Sequence, residues 1–167
     1  QALALRCAHW LGQKECEGIV VTNGTDTLEE TAVFLQSVLA PDKPVAVTCA
    51  MRPATALLAD GPQNIVDALT VAATPQARGV VAVCAGTIHS AFDVFKQHSY
   101  QLDAFSSGDA GPVGSVEAGQ VRRLRECPVA APQASPLRAL ARRPQSPRVA
   151  SAPRFTAARR GAAHAPS

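Results

Sequence analysis

Three short runs of apolar, mostly β-branched residues constrain the fold of this chain more than any other feature. They cover residues 18–22, 45–48 and 79–84. Each run is short enough to be one strand, and each is too continuously apolar to have one face in solvent. The segments between the runs carry apolar residues at helical spacing. Because strand, helix and strand in succession form a parallel pair, the sequence predicts a parallel sheet built from βαβ units.

Helices are predicted on either side of these strands, over residues 2–12, 28–40 and 62–73. Thr27 and Glu30 have the spacing of a capping box at the start of the second helix. Pro62 suits the first turn of the third helix, because that position needs no amide hydrogen. The second helix is predicted to bury the apolar face formed by Ala32, Phe34, Leu35, Val38 and Leu39.

The remaining segments of the first 125 residues lack helical periodicity. Residues 49–61 are predicted to form a long loop, and residues 88–98 an extended segment. Residues 113–125, interrupted by Glu117-Ala118-Gly119, are predicted to form a β-hairpin.

Charge and composition divide the chain at about residue 125. Residues 1–125 carry 9 Lys+Arg against 12 Asp+Glu, whereas residues 126–167 carry 7 Arg against one Glu. The second segment is rich in proline and alanine, so it buries too little apolar surface to offset the cost of ordering. We therefore predict a folded domain over 1–125 and a disordered tail over 126–167. Basic pairs such as Arg142-Arg143 leave nucleic-acid binding as an alternative role for the tail, although a solvated tail is favoured and no nucleic-acid partner is predicted.

The cysteines and histidines argue against a metal site. The five cysteines have no C-x-x-C spacing, and the four histidines are scattered. Free thiols favour a reducing compartment, so we expect the cytoplasm, with the periplasm as the alternative. No run is as long as a membrane span, and no signal peptide precedes the domain. The chain begins without Met, and we expect its N-terminus to be processed or incomplete.

One turn brings polar groups to the end of the first predicted strand. Asn23-Gly24 interrupts that strand, since both residues tolerate positive φ. Thr25 and Asp26 then lie between the strand and the N-terminus of the next helix, which is where open α/β sheets bind ligands. Taken alone, this pattern favours a turn followed by a helix cap.

Four further motifs follow this turn along the chain. They are Ala50-Met51-Arg52-Pro53, Ala59-Asp60-Gly61-Pro62, Gly86-Thr87-Ile88-His89 and Asp93-Val94-Phe95-Lys96. Together with Gly24-Thr25-Asp26-Thr27, and in this order and spacing, they resemble the L-asparaginase family of amidohydrolases over residues 1–125. The resemblance and the strand pattern together predict an α/β fold. Its sheet is open and mostly parallel, with helices on both faces, like a Rossmann or flavodoxin fold, and here it is incomplete.

The resemblance implies a reaction and the residues that perform it. L-Asparagine and water would give L-aspartate and ammonia, with Thr25, Asp26 and Lys96 as the catalytic group. A threonine hydroxyl is a poor nucleophile until a base takes its proton, and a lysine can do so when burial lowers its pKa. Asp26 would also bind the α-ammonium of the substrate, and the Ala50 carbonyl would face its amide. Substrate binding is thus assigned to Gly24, Thr25, Asp26 and Ala50.

The resemblance also implies that the protein works without a cofactor or a metal. It implies a homo-oligomer acting on asparagine, with glutamine as the alternative substrate. Cys49 departs from the family pattern, which has glycine there. The family's second catalytic threonine belongs to a T-G-G-T-I motif that this sequence lacks, so we expect little or no amidase activity from this chain alone. The alternatives are a non-catalytic remnant or small-molecule binding module, and the amidase subunit of a glutamyl-tRNA amidotransferase.

Other polar residues in these motifs are predicted to be structural. Asp60 is expected to organise the turn before Pro62. Arg52 is expected to form either a substrate clamp or a structural salt bridge. His89 and His98 receive no catalytic role, because each is expected to pack or to face solvent.

Overall fold

The computed structural model describes residues 1–75 and 77–127 and contains helices on both faces of a mixed sheet. The helices are α1 (Ala2–Leu11), α2 (Leu28–Leu39) and α3 (Gly61–Ala72). The strands are β1 (Ile19–Thr22), β2 (Val45–Thr48), β3 (Val80–Cys84), β4 (Thr87–Ser90), β5 (Phe95–Lys96), β6 (Phe105–Ser106), β7 (Gly114–Glu117) and β8 (Gln120–Arg123). Two short 3₁₀ turns lie at Thr25–Thr27 and Gly108–Ala110.

The main sheet has six strands in the order β1-β2-β3-β4-β7-β8. The three apolar runs pair in parallel, with Val21 opposite Val47 and Val47 opposite Ala82. From β4 onward every pairing is antiparallel, and β7 and β8 form the predicted hairpin. The α/β class, the parallel strands and the helices on both faces are therefore confirmed. The antiparallel half of the sheet is a feature that the apolar runs did not reveal.

Alternate residues of β2 pack into two hydrophobic cores, one on each face of the sheet. Val45 and Val47 pack with the α1 and α2 side, whereas Ala46 packs with Ala68 and Val71 of α3. Since both faces are covered, the strand needs apolar residues at every position, which explains its unbroken apolar sequence. Within α2, the fully buried part of the predicted face is Ala32, Leu35 and Val38, with Phe34 and Leu39 half-buried.

Two local predictions at the start of α2 are wrong. Thr27 is the N-cap residue, but its side chain makes no capping hydrogen bond and instead accepts one from Asn23 Nδ2 at 3.2 Å. Gly24 has φ −71° and ψ 149°, and Asn23 is not among the residues with positive φ. The strand therefore ends in extended backbone followed by a 3₁₀ turn, not in a left-handed turn.

Strands β5 and β6 form a separate two-stranded ribbon, which carries Lys96. Residues Ala104 and Phe105 of this ribbon pack into the core on the α2 side of the main sheet. Two polar contacts hold the ribbon and the segment before it in place. His89 Nδ1 lies 2.8 Å from Ser107 Oγ, and Arg125 Nη2 lies 2.5 Å from Asp93 Oδ2.

The division between domain and tail remains a prediction. Regular structure extends through β8, and residues 128–167 of the expected tail lie outside the described part of the chain. None of the helices in that described part is long and apolar enough to span a bilayer.

Candidate active site

The candidate site lies where β1 and β2 end at one edge of the sheet. Beyond β1, the Asn23 amide donates to the Thr48 carbonyl at 2.8 Å, so the two strand ends stay together. The chain then passes through Gly24 into the 3₁₀ turn Thr25–Thr27, which leads directly into α2. A Cβ added to Gly24 would meet nothing within 4 Å. The turn therefore leaves open space beside Thr25.

Lys96 reaches this turn from the ribbon and contacts both predicted partners. Its Nζ lies 2.9 Å from Thr25 Oγ1 and 2.7 Å from Asp26 Oδ1. The Thr25 hydroxyl also lies 3.3 Å from Asp26 Oδ1. The structure thus brings together three residues that the sequence places about seventy positions apart.

The electrostatics of this group are asymmetric. The Lys96 side chain is 19% exposed, whereas that of Asp26 is 90% exposed. The hydrogen bond from Lys96, then the charge of Lys96, then the hydrogen bond from Thr25 lower the pKa of Asp26. Asp26 is therefore a carboxylate at neutral pH. A neutral amine at the position of Lys96 Nζ would be placed to accept the Thr25 proton, while Asp26 would orient that amine.

The sequence reasoning missed Glu29 as part of this site. Its carboxylate Oε2 accepts the main-chain N–H of Lys96 at 2.5 Å. Glu29 stands in the first turn of α2, four residues after Thr25. No local sequence pattern links a glutamate in a helix to a strand amide 67 positions away, so the contact is visible only in the folded structure.

The loop after β2 is organised by Asp60. Its carboxylate accepts the main-chain N–H groups of Met51 at 2.8 Å and Arg52 at 2.9 Å. Asn64 Nδ2 donates to the Cys49 carbonyl at 3.0 Å and to Asp60 Oδ2 at 3.1 Å. Asp60 thus organises the Met51 loop as well as the start of α3. The Arg52 guanidinium donates to the Leu58 carbonyl at 3.4 Å and forms no salt bridge within the described residues.

Ala50 lies in this loop at the same edge of the sheet as the turn. Its side chain is exposed, and it follows Cys49, whose carbonyl is already occupied by Asn64. The predicted approach of the Ala50 carbonyl to a substrate amide stays a prediction.

A buried thiol pair lies at the ends of β2 and β3. The sulfur atoms of Cys49 and Cys84 are 3.5 Å apart, and both residues are buried. The hydrogen bond with Cys49, together with burial, raises the pKa of the Cys84 thiol.

The described residues offer no obvious metal centre. Across residues 1–75 and 77–127, no group of three or more His, Cys, Asp or Glu side chains is arranged to hold an ion. His89 is buried in β4 and hydrogen-bonded to Ser107, as expected of a packed histidine.

The sequence and fold of this chain match those of known proteins. Residues 1–128 match the model of the asparaginase N-terminal domain. The chain is 46% identical over 116 residues to L-asparaginase 2 of Bacillus subtilis, covering 68% of this chain and 31% of that protein. It is 44% identical over 120 residues to glutaminase-asparaginase of Pseudomonas fluorescens, covering 71% and 33%.

A solved structure of an L-asparaginase also has the fold of this chain. The crystal structure of a probable cytoplasmic L-asparaginase from Campylobacter jejuni superposes with a TM-score of 0.72 at 41% identity. The match covers 74% of this chain and 40% of that one. The chain spans about a third of the length of the curated relatives that it matches.

Proposed function

Because this chain belongs to the L-asparaginase family, we propose that it hydrolyses the side-chain amide of L-asparagine to L-aspartate and ammonia. The observation that carries the proposal is the position of Lys96 Nζ, 2.9 Å from Thr25 Oγ1 and 2.7 Å from Asp26 Oδ1. A hydroxyl, an amine and a carboxylate at these distances have the relation of nucleophile, base and orienting group.

In the proposed reaction, Thr25 Oγ1 attacks the carbon of the substrate amide. In its neutral form, the Lys96 amine would take the hydroxyl proton as the new C–O bond forms and return that proton to the departing nitrogen as ammonia leaves. Water then hydrolyses the ester that links the aspartyl group to Thr25. Asp26 keeps the lysine in place and, as an exposed carboxylate, attracts the α-ammonium of the substrate.

Substrate binding is proposed for the surface around Thr25. Gly24 supplies the open space that a small amino acid needs beside the hydroxyl, and the Ala50 carbonyl accepts a hydrogen bond from the amide. Glutamine is the alternative substrate, which the name of the Pseudomonas fluorescens relative supports.

We propose that the 167-residue chain alone turns over slowly. Asp26 is 90% exposed, so water screens its charge and competes for its hydrogen bonds. An enclosed site would strengthen both interactions. Binding of asparagine without release of ammonia would instead favour the alternative of a non-catalytic binding module.

A homo-oligomer is also part of the proposal. Leu57 is 99% exposed and Tyr100 is 90% exposed, and both line a concave surface with Met51 of the loop after β2. Exposed apolar groups gathered in this way are typical of surfaces that another chain covers. Sedimentation equilibrium tests this, and a monomer at all concentrations would contradict it.

The experiment that tests the reaction is an ammonia-release assay on Lys96→Met. We expect turnover of L-asparagine to fall by about 10²–10⁴-fold, the usual effect of losing a general base. Lys14→Met is the matched control, since Lys14 is an exposed lysine outside the site, and it should keep the activity of the unaltered chain. Equal turnover in the Lys96 and Lys14 variants would overturn the proposal.

A further inference from the structure

We propose that Glu29 is a positioning residue for Lys96. Its carboxylate holds the main chain of β5, so that the ammonium of Lys96 reaches Thr25 and Asp26. The catalytic consequence rests on the proposed function, whereas the positioning itself concerns only the geometry of this chain.

Lys96 is held at both of its ends by one short segment. Its amide N–H donates to Glu29 Oε2 at 2.5 Å, and its Nζ contacts Thr25 and Asp26 at 2.9 and 2.7 Å. All three acceptors lie within five consecutive positions, from the 3₁₀ turn to the first turn of α2. Since the 3₁₀ turn leads directly into α2, this one segment determines where both ends of the lysine lie.

Few other hydrogen bonds fix the position of the Lys96 main chain in the ribbon. Strand β5 has two residues and pairs only with β6 among the described strands. An isolated two-stranded ribbon is marginally stable in water. The N–H groups of Gln97 and His98 both donate to the Ala104 carbonyl, on the β6 side. The Lys96 N–H instead donates to Glu29, so that contact ties β5 to α2.

The chemistry of Glu29 suits this role. A hydrogen bond from an amide to a carboxylate is roughly twice as strong as one to a neutral oxygen. A negative side chain in the first turn of a helix is also favoured by the helix dipole. Glu29 is half-buried, whereas the adjacent Glu30 is exposed, and its side chain has no hydrogen bond or ion pair with the ribbon among the described residues. The two neighbouring glutamates therefore differ in what they touch but not in charge.

The test compares Glu29→Ala, Glu29→Gln and Glu30→Ala. We expect Glu29→Ala to lower kcat for L-asparagine about 10–100-fold with KM nearly unchanged, because misplacing a catalytic group by about 1 Å costs that much. Gly24 and Asp26 stay in place, which is why KM should hold. Glu29→Gln keeps an acceptor oxygen and should recover most of the loss. Glu30→Ala should behave like the unaltered chain.

Amide hydrogen exchange supplies a readout that does not depend on catalysis. The Lys96 amide should exchange at least about tenfold faster in Glu29→Ala, in line with the loss of a hydrogen bond worth ~1.4 kcal/mol or more. The Val81 amide in the central strand β3 should exchange at the same rate in all variants and so reports that the fold is intact. If Glu29→Ala fails to fold, Glu29→Asp, whose shorter side chain draws the carboxylate away from the Lys96 amide, takes its place, and Glu29→Gln remains the variant that should recover the activity.

The outcomes separate the two proposals. Unchanged exchange at Lys96, or equal loss of kcat in Glu29→Ala and Glu30→Ala, overturns the positioning role. Faster exchange at Lys96 in a chain that releases no ammonia at all would support the positioning of Lys96 and reject the proposed function.

Discussion

At the scale of single residues, the candidate site depends on how a long side chain crosses from one segment to another. Lys96 stands on the ribbon, and only its stem spans the gap to Thr25 and Asp26. The stem is largely covered while the ammonium keeps two oxygen partners, so burial of the methylene groups and pairing of the charge occur together. A shorter residue at this position could not meet both requirements.

Substitution of Gly24 tests whether the space beside Thr25 is used. The φ of −71° suits any L-residue, and a Cβ would meet no atom within 4 Å. Gly24→Ala should therefore fold normally and gain up to about 1 kcal/mol of stability through the unfolded state. If substrate occupies the space, KM for asparagine should rise about tenfold. Urea unfolding and steady-state kinetics measure the two effects, and an unchanged KM would remove Gly24 from the binding surface.

Whether a site residue could be predicted from the sequence depended on whether the pattern that places it lies nearby in the chain. Thr25 and Asp26 could be placed at a strand end from the local pattern alone, since an apolar run and a helical period lie on either side. Lys96 could be assigned only through its motif, because the pattern of an extended segment does not predict which residues a lysine Nζ contacts. Glu29 could not be found at all, because its partner is the amide of a distant strand.

At the scale of elements, the two tight hairpins of the six-stranded sheet use the same two-residue turn, with alanine at its first position. Ala85-Gly86 links β3 to β4 and Ala118-Gly119 links β7 to β8, and in each pair both residues have positive φ, near 49° and 74°. Such turns match the twist of paired strands, but they usually carry asparagine at the first position. The β7–β8 hairpin was nevertheless predicted, because strands of mixed polarity flank its turn, whereas the continuously apolar β3 indicated a buried parallel strand and hid the β3–β4 hairpin. Alanine gives no local signal for a left-handed residue.

Replacing the strained alanine should stabilise the protein. Alanine in the left-handed region costs roughly 1–2 kcal/mol, and asparagine tolerates it better. Ala118→Asn should therefore raise the free energy of unfolding by about 0.5–1 kcal/mol, measured by urea denaturation. Ala77→Asn, at an alanine without positive φ, is the control and should give no gain. A loss of stability in Ala118→Asn would contradict the account of the turn.

The ends of β2 and β3 place two thiols where they can be oxidised together. Continuing the register that pairs Val47 with Ala82 sets Cys49 opposite Cys84, and parallel neighbours lie about 4.7–4.9 Å apart, within the Cα range of a disulfide. We expect hydrogen peroxide to join them, with two hydrogens and two electrons passing to the peroxide to give two waters.

Peptide mapping by mass spectrometry measures this cross-link. A linked Cys49–Cys84 peptide, lighter by two hydrogen atoms, should appear in the unaltered chain and disappear in Cys84→Ser. Cys7, a buried thiol outside the pair, serves as the internal control and should stay unlinked. Cross-linking of Cys49 to Cys7 in its place would show that the strand register does not control the reaction.

At the scale of the whole molecule, the sequence predicted the parallel half of the sheet and its two helical layers. Continuous apolar strands and periodic helices are strong signals because both faces of the sheet must be covered. Where the sheet turns antiparallel, the strands become mixed in polarity. Their order, β4 next to β7, depends on pairing that only the assembled fold establishes.

The folding stability of the whole chain should fall in mild acid because of His89. Burial lowers its pKa to about 4, against the opposing effect of the Asp103 charge. The unfolded chain binds this proton near pH 6.5, so between pH 6.5 and about 4 it holds a proton that the folded chain lacks. Stability is therefore fully present above pH 6.5 and decreases as the pH falls, by up to ~3 kcal/mol near pH 4.

Urea unfolding at several pH values tests this dependence. His89→Gln should flatten the fall between pH 6.5 and 4, whereas His98→Gln should leave it unchanged, because His98 is exposed. Parallel pH curves for both variants would assign the acid sensitivity to other groups.

Because the β5–β6 ribbon is separate from the six-stranded sheet, the two are expected to unfold at different temperatures. The ribbon rests on a small area of core and a few polar contacts, so it can open while the sheet stays folded. The proposed amidase activity would then vanish at a lower temperature than the circular dichroism signal of the sheet. Cooling would restore it quickly, because only a local segment has to close again.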